Sequence, residues 1–236
     1  MNTLFFKVAN FTKGLFKACI VPRPIGWITT IDIKGNENLA PFSYFNAISD
    51  DPPMIMFSTT GKHIGGGVKD TLRNVEETRE FVINIATEEL RTQVNLTSAD
   101  LAKGKSEFEY AELERIPSVL VKPPRVKRSP IHLECTYYSS IQLPCNSENN
   151  INRMVLGKVE GIHIAENVLT DGLIDWEKLR PIARMGYNDY ATITRGNIFS
   201  LSRPAHELFI KKEEEKWKKG EGNEGSTYKK GNSNGK

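Results

Sequence analysis

No stretch of this sequence stays apolar for the roughly 18 residues that a spanning helix requires, which argues against an integral membrane protein. Cysteine is scarce. Cys19, Cys135 and Cys145 form no CxxC pair and leave one over, so reduced thiols in a cytoplasmic protein are expected. Conventional catalytic signatures are missing: there is no Gly-x-Ser-x-Gly, no Walker loop, no GxGxxG and no HExxH. His63, His132, His163 and His206 stand singly, without metal-ligand spacing, so no metal site is expected. Near the N-terminus there is no acid before Asp32, no Arg before Arg23 and no Ser before Ser43, while Lys7, Lys13 and Lys17 break up the apolar residues. That pattern suits neither a secretory signal nor a transit peptide, and residues 1–11 read as a packed N-terminal segment.

The formal net charge of +3 on 236 residues has one source. Residues 211–236 hold eight Lys and five Glu; removing them from the totals of 32 basic and 29 acidic residues leaves 24 of each sign. A neutral body lacks the basic face that a phosphate backbone would need, so a nucleic-acid partner is not expected. Beyond Ile210 only Trp217 and Tyr228 are large and apolar, and a Lys/Glu/Gly-rich tail of that composition is expected to be disordered.

Period-two patterning dominates what remains. Ile25–Ile33, Met54–Ser58, Phe81–Ala86, Met154–Ile164 and Ile198–Leu201 read as strands. In Ile131–Leu143, Ile131, Leu133, Cys135, Tyr137, Ile141 and Leu143 share an apolar face. His132, Glu134, Thr136, Ser140 and Gln142 share the other, which reads as the wetter one. Helical signals are fewer: Val68–Thr78, a segment capped by Thr87, and one near Asp175–Leu179. Short strands without βαβ alternation predict a mainly β chain, an antiparallel barrel or sandwich with a few short helices.

Two segments carry more polar chemistry than plain structure requires. Asn38–Asn46 (NLAPFSYFN) mixes amides and hydroxyls with aromatics, and Pro41 marks an edge or bulge where backbone groups are free for a flat heteroaromatic ligand. An irregular edge strand explains the same residues. From Ser58 to Asn74, hydroxyls (Ser58, Thr59, Thr60), cations (Lys62, Lys69) and Gly65-Gly66-Gly67 precede a helix start, the makings of a phosphate site. The alternative is a solvent loop capped by Asp70 or Thr71.

These residues, in order, resemble the flavin reductase-like, FMN-binding split-barrel family of the flavoredoxin-like type. The match runs through VPRPIGWITT (21–30), NLAPFSYFN (38–46), Asp51-Pro52-Pro53, Lys69-Asp70-Thr71 with Asn74, and EFVIN (80–84). It continues through Ser129-Pro130, Leu156–Val159, RPIARMG (180–186), Tyr190 and Arg203-Pro204. The resemblance implies an antiparallel Greek-key split barrel over residues 12–204 that forms a homodimer, with FMN at or near the interface. It implies that Arg23, Pro24, Trp27, Thr29 and Thr30, with Asn38, Ala40, Pro41, Ser43, Tyr44, Phe45 and Asn46, line the ring and ribityl chain, largely through main-chain groups. Ser58, Thr59, Lys69, Asp70 and Thr71 would surround the phosphate, and Arg184 and Tyr190 would lie near the flavin. Two departures stand out: the family commonly has glycine where this chain has Tyr187, and an acid where it has Lys158, whose salt-bridge role Glu160 could take over.

The resemblance implies an oxidoreductase in which flavin N5 accepts hydride from NAD(P)H and a flavin or other acceptor takes the electrons. That chemistry needs no catalytic side chain of its own. An FMN electron carrier reduced by a partner protein, and a non-enzymatic barrel binding module, are the other readings. Cys135, on the apolar face of its strand, is expected to be inert.

Overall fold

The computed structural model describes residues 3–7, 14–63, 65–101, 105–147 and 150–201. The chain divides into a unit spanning Met1–Asn197 and another spanning Ile198–Lys236. Residues 198–201 carry no regular structure, so the strand expected at Ile198–Leu201 is absent. The lysine-rich tail and the Arg203-Pro204 boundary lie outside the described residues. Among the described residues, no helix is long and apolar enough to cross a membrane.

The first unit opens with α1 (Leu15–Cys19) and β1 (Arg23–Pro24), followed by β2 (Gly26–Ile31), β3 (Glu37–Phe42), β4 (Phe45–Asp50) and β5 (Pro53–Thr60). Next come α2 (Asp70–Thr78), β6 (Glu80–Ile85), α3 (Arg91–Leu96), α4 (Glu107–Tyr110), β7 (Arg115–Ile116) and β8 (Arg125–Val126). The long hairpin β9 (Ile131–Leu143) and β10 (Asn152–Ile164) follows, then β11 (Leu169–Thr170), β12 (Leu173–Ile174), α5 (Trp176–Leu179), β13 (Ile182–Arg184) and β14 (Tyr190–Thr192). Asp175 caps α5 by accepting from the Glu177 N–H at 3.0 Å, as its side-chain chemistry dictates.

Seven strands form one antiparallel sheet in the order β3-β2-β6-β9-β10-β5-β4. Its two edge strands, β3 and β4, are consecutive in sequence and joined only by Ser43 and Tyr44. Three peptide steps reach at most roughly 11 Å, so the sheet must curl until its edges converge at that end. They meet through side chains. Phe42 and Phe57 pack with ring centroids 5.3 Å apart, and the Ser58 N–H donates to the Tyr44 carbonyl at 2.8 Å. Phe45 lies against Gly26 of β2, where a Cβ would come within 2.8 Å of its ring. No ladder joins β3 to β4, which leaves the split barrel that the resemblance implied.

Both faces of the sheet are covered. Ile28, Phe57, Leu72, Val75, Phe81, Ile83, Cys135 and Val155 form one core cluster, onto which α2 packs. Trp27, Leu39, Leu90, Val94, Phe108, Val126 and Ile182 form the other. Adjacent β2 residues, Trp27 and Ile28, serve opposite clusters, so β2 is buried on both faces from Gly26 to Thr30. Burial also pushes the Cys135 thiol far up, keeping it inert.

The alternation in β9 needs one correction. His132 and Glu134 were expected on a wet face, yet they are 4% and 0% exposed. Residues 113–128 run across them as a strap held by side chains of the sheet. Glu134 accepts the N–H groups of Val119 (2.8 Å), Leu120 (2.5 Å) and Val121 (3.1 Å), and His163 donates to it through Nε2 at 2.5 Å. Asn84 accepts from the Val126 N–H at 2.8 Å, and His132 Nε2 lies 2.9 Å from the Val126 carbonyl. Glu80 takes the Lys122 N–H at 2.9 Å. Burial pushes the Glu134 carboxyl up, but its backbone and His163 donors outweigh that and leave it below the usual range.

His132 generates a testable consequence. Burial, opposed by the Val126 carbonyl, pushes its imidazole down to about 4, so the ring is neutral and Nε2–H is the donor. A depressed pKa contributes stability that is complete above the ordinary value near 6.5 and lost as pH falls toward 4. Denaturant unfolding of the wild type should show a loss of about 2–3 kcal/mol between pH 7 and 4.5 beyond that of His132→Gln, whose amide can still donate. Parallel losses in the two proteins would refute this role for His132.

Candidate functional site

Predicted site residues gather at two places, one at each end of β3. The first is the start of α2. Asn38 donates to the Thr71 hydroxyl at 2.8 Å, and Asn74 donates to the Thr30 hydroxyl at 3.1 Å. Thr30, Thr71 and Asn74 are buried, and Asn74 Oδ1 has no partner. Lys69 sits at the N-cap in extended backbone and makes no side-chain cap, nor does Asp70 or Thr71 close the helix end. The first-turn N–H groups therefore remain available to an acceptor. Ser58 and Thr59, buried at the end of β5, make no side-chain hydrogen bond among the described residues.

Charges around this cluster are partly committed. Asp70 pairs with Arg73 and lies 3.6 Å from His63 Nε2, while Lys69 Nζ is 3.5 Å from Asp100. His63 also organises the glycine loop: its Nδ1 accepts from the Gly65 N–H at 2.9 Å and its carbonyl from Gly66 at 2.8 Å. Sequence reading did not assign His63 or Asn74 a role. Asn74 was findable, because the i, i+3 spacing places it on the same face of α2 as Thr71.

The edge of β3 differs from expectation. Its outward donors are not open: the Leu39 N–H is taken by Glu107 Oε2 at 3.2 Å, and Pro41, two residues on, has no N–H. Glu107 is half-buried, and that burial raises its pKa against the opposing pull of the N–H groups. β2 is likewise committed, since Gly26–Thr29 pair with both β3 and β6. Trp27 is fully buried and donates to Thr97 at 2.8 Å, and the Thr29 hydroxyl accepts from Asn84 at 2.9 Å. The main chain of Trp27 and Thr29 thus lies within the sheet, between β3 and β6. Ala40 is half-buried on the same edge, Pro24 is exposed opposite Ala183, and Asn46 is exposed with Oδ1 on the Ala47 N–H.

The second place is a cleft of about 360 Å³ lined by Gly14, Lys17, Arg23, Ser43, Arg184, Tyr187 and Asn188. The β3–β4 link, α1, β1 and the β13–β14 turn build its walls. Arg23 is buried and donates to the carbonyls of Lys17, Ile20 (2.7 Å) and Met185 (2.9 Å), tying α1 to the turn. Gly186 lets the turn touch α1, since a Cβ there would come within 2.4 Å of that of Ala18. Arg184 donates to the Tyr187 carbonyl at 2.5 Å and lies over the Tyr190 ring at 4.4 Å. Tyr187 holds φ 55, the left-handed region that glycine adopts freely, which accounts for glycine at this place in the resembled family. Lys17, Tyr187 and Asn188 were not predicted, and an isolated lysine on a five-residue helix gives no sequence signal.

At the departure Lys158, Glu160 forms an ion pair with it at 2.9 Å. His132 and His163, far apart in sequence, become cross-strand neighbours with ring centroids 6.1 Å apart. Even so, among the described residues no three His, Cys, Asp or Glu side chains converge to hold a metal.

A family model for the flavin reductase like domain matches residues 18–182. A protein of Halalkalibacterium halodurans is 37% identical over 190 residues, covering 80% of this chain and 90% of its own length. Among solved structures, nitrilotriacetate monooxygenase component B from Bacillus cereus is 34% identical with a TM-score of 0.78, over 85% of this chain and 100% of that one. The 2-nitrobenzoate 2-nitroreductase NbaA of Pseudomonas fluorescens is 26% identical with a TM-score of 0.72, over 85% and 96% of the two chains.

Because the guanidinium of Arg23 is spent on carbonyls, it should act as a brace. Arg23→Lys, which keeps the charge but not the fork, should cost about 1–3 kcal/mol in stability. Amide exchange in Leu15–Cys19 should accelerate as α1 loosens. Unchanged stability and exchange would show that the brace is unimportant.

Proposed function

The chain belongs to the flavin reductase-like family, and on that premise we propose that it is an FMN-dependent oxidoreductase using NAD(P)H as reductant and a flavin or another acceptor as oxidant. When bound, FMN supplies the redox centre, with N5 as the hydride acceptor. Every other contribution belongs to the chain's own side chains and backbone.

The observation that carries the reading is the uncapped start of α2 beside a polar set drawn from β2 and β3. Helix N–H groups, the Thr71 O–H, the Ser58 and Thr59 hydroxyls and Lys69 supply donors and positive charge for a phosphate. Asn74 Oδ1, buried without a partner, is an acceptor suited to a ribityl hydroxyl. Asp70 would repel a phosphate on its own; Arg73 offsets its charge, so it acts as a positioning residue. From Asn38 to Ser43 the extended chain covers roughly 17 Å, a span that suits a ribityl phosphate at one end and a ring at the other. At that far end Ser43, Tyr44, Phe45 and Asn46 offer hydroxyl, aromatic and amide groups, with Pro24, Ala40 and Pro41 as apolar flanks. Arg184, steadied over Tyr190, would favour the negative charge of a reduced ring.

A homodimer with FMN at or near its interface belongs to the same proposal. Its support is the unpaired outer edge of β4, where Ile48 is 47% exposed and a bulge lies between Ala47 and Ser49. Three free cysteines accord with a cytoplasmic location.

Purified full-length protein should be yellow or take up added FMN, and should bleach on anaerobic mixing with NADH or NADPH. A colourless protein that refuses FMN would overturn the flavin reading. A yellow protein that neither nucleotide bleaches would instead be an electron carrier reduced by a partner protein. Lys69→Ala with Thr71→Ala should weaken FMN on the order of tenfold while riboflavin, which lacks the phosphate, is little affected. Equal losses for the two flavins would place the phosphate elsewhere.

A further inference from the structure

The cleft at the β3–β4 link holds more positive charge than the flavin reading uses, since that reading takes up the Arg184 side chain alone. Lys17, Arg23 and Arg184 all line it, and none has a carboxylate within 4.0 Å among the described residues. Elsewhere Arg73, Arg91, Arg115, Arg128, Arg153 and Arg180 each hold an acid, while Arg79 lies over the Tyr137 ring and Arg125 donates to the Pro117 carbonyl. Three like charges around one concavity repel one another, and an anion shared between them removes that cost. Arg23 is 7% exposed, and its two terminal nitrogens are held by carbonyls.

Size and shape narrow the anion. A volume of about 360 Å³ is far more than one phosphate needs and falls in the small-ligand range. Tyr187, 61% exposed, presents an aromatic face at the cleft, and its ring rests against Gly14, where a Cβ would stand 3.4 Å away. The ring is held there by a left-handed backbone that a tyrosine adopts only at a cost. Asn188 contributes an amide next to it. Cations for a diphosphate beside an aromatic face for a base make a nucleotide site.

We propose that this cleft binds the adenosine diphosphate half of the reducing dinucleotide, with the diphosphate among Lys17, Arg23 and Arg184 and the adenine against Tyr187. The inference rests on the flavin reading, because it places the reductant where Ser43 joins the cleft to the ring-binding segment Tyr44–Asn46. The flavin's own phosphate has the α2 cluster, at the other end of β3. A dinucleotide anchored at the link directs its other half toward the ring, which explains how a chain without a nucleotide-binding domain handles such a reductant.

The test uses the full chain, saturated with FMN, titrated calorimetrically with 5′-ADP at low salt. ADP should bind at one site per chain, adenosine should bind far more weakly, and added salt should weaken ADP. Lys17→Glu should cost on the order of tenfold in affinity. Tyr187→Gly, which removes the ring and relieves its backbone, should cost several-fold. Equal ADP affinity in the wild type and both variants would overturn the proposal. So would displacement of ADP by excess FMN, which would make the cleft the flavin's own phosphate site. Absorbance reads flavin content independently: a colourless protein that still binds ADP through Lys17 and Tyr187 keeps the cleft and discards the flavin reading.

Discussion

Two residues, Ser43 and Tyr44, tie together the opposite edges of a seven-stranded sheet, and most of the molecule follows from that short tether. An open sheet of this size twists but need not close. Here the tether compels the edges to converge at one end, and aromatic packing secures the convergence: Phe42 on Phe57, Phe57 on Phe81, Phe45 on Gly26. With no backbone ladder across the seam, the barrel stays split. The seam then becomes the place where edge strand, link and the β13–β14 turn meet, and both candidate binding regions lie along the strand that borders it.

Closing the barrel creates a second demand, that its outer face be covered without stranding polar backbone. The strap 113–128 meets it through the buried Asn84, His132 and Glu134 of β6 and β9, with the half-buried His163 of β10 behind Glu134. Glu134 alone takes three consecutive N–H groups that could not otherwise be satisfied away from water. His163 supplies the fourth donor to that carboxylate, which keeps a fully buried acid ionised. Gly161 opposite completes the fit, for a Cβ there would meet Leu120 at 3.0 Å. The strap is thus fastened by electrostatics on one side and by the absence of a side chain on the other.

What the sequence made legible is what neighbours in the chain decide. The limits of β9, the end of α2 at Thr78 and the Asp175 cap follow from alternation and side-chain chemistry within a few residues, while α2 starts at Asp70, two residues later than expected. Thr30, Asn38, Thr71, Arg23, Ser43 and Arg184 were each suspected, and their gathering into two groups came only from the fold. The misreadings share a cause. His132 and Glu134 looked wet because the strap that buries them, with Pro117, Pro123 and Pro124 and interleaved charges, has no period to announce it. The edge of β3 looked open because Glu107, sixty-eight residues away in the chain, closes it. In both cases a polar residue distant in sequence satisfies the backbone, and no local pattern records such a partner.

The distribution of positive charge separates structural cations from those left for a ligand. A zero net charge over residues 1–210 is compatible with every cation being paired, and Arg73, Arg91, Arg115, Arg128, Arg153 and Arg180 are paired with acids. Lys69 is held loosely, 3.5 Å from Asp100, an exposed pair of little intrinsic strength that a phosphate can outbid. At the cleft the exception is sharper. Arg23 gives its hydrogen bonds to carbonyls, which fixes its position without cancelling its charge, and Arg184 does the same with Tyr187. Carbonyl partners hold a guanidinium rigid and leave its field directed into the concavity. That is preorganisation for an anion: position already fixed, charge still unspent.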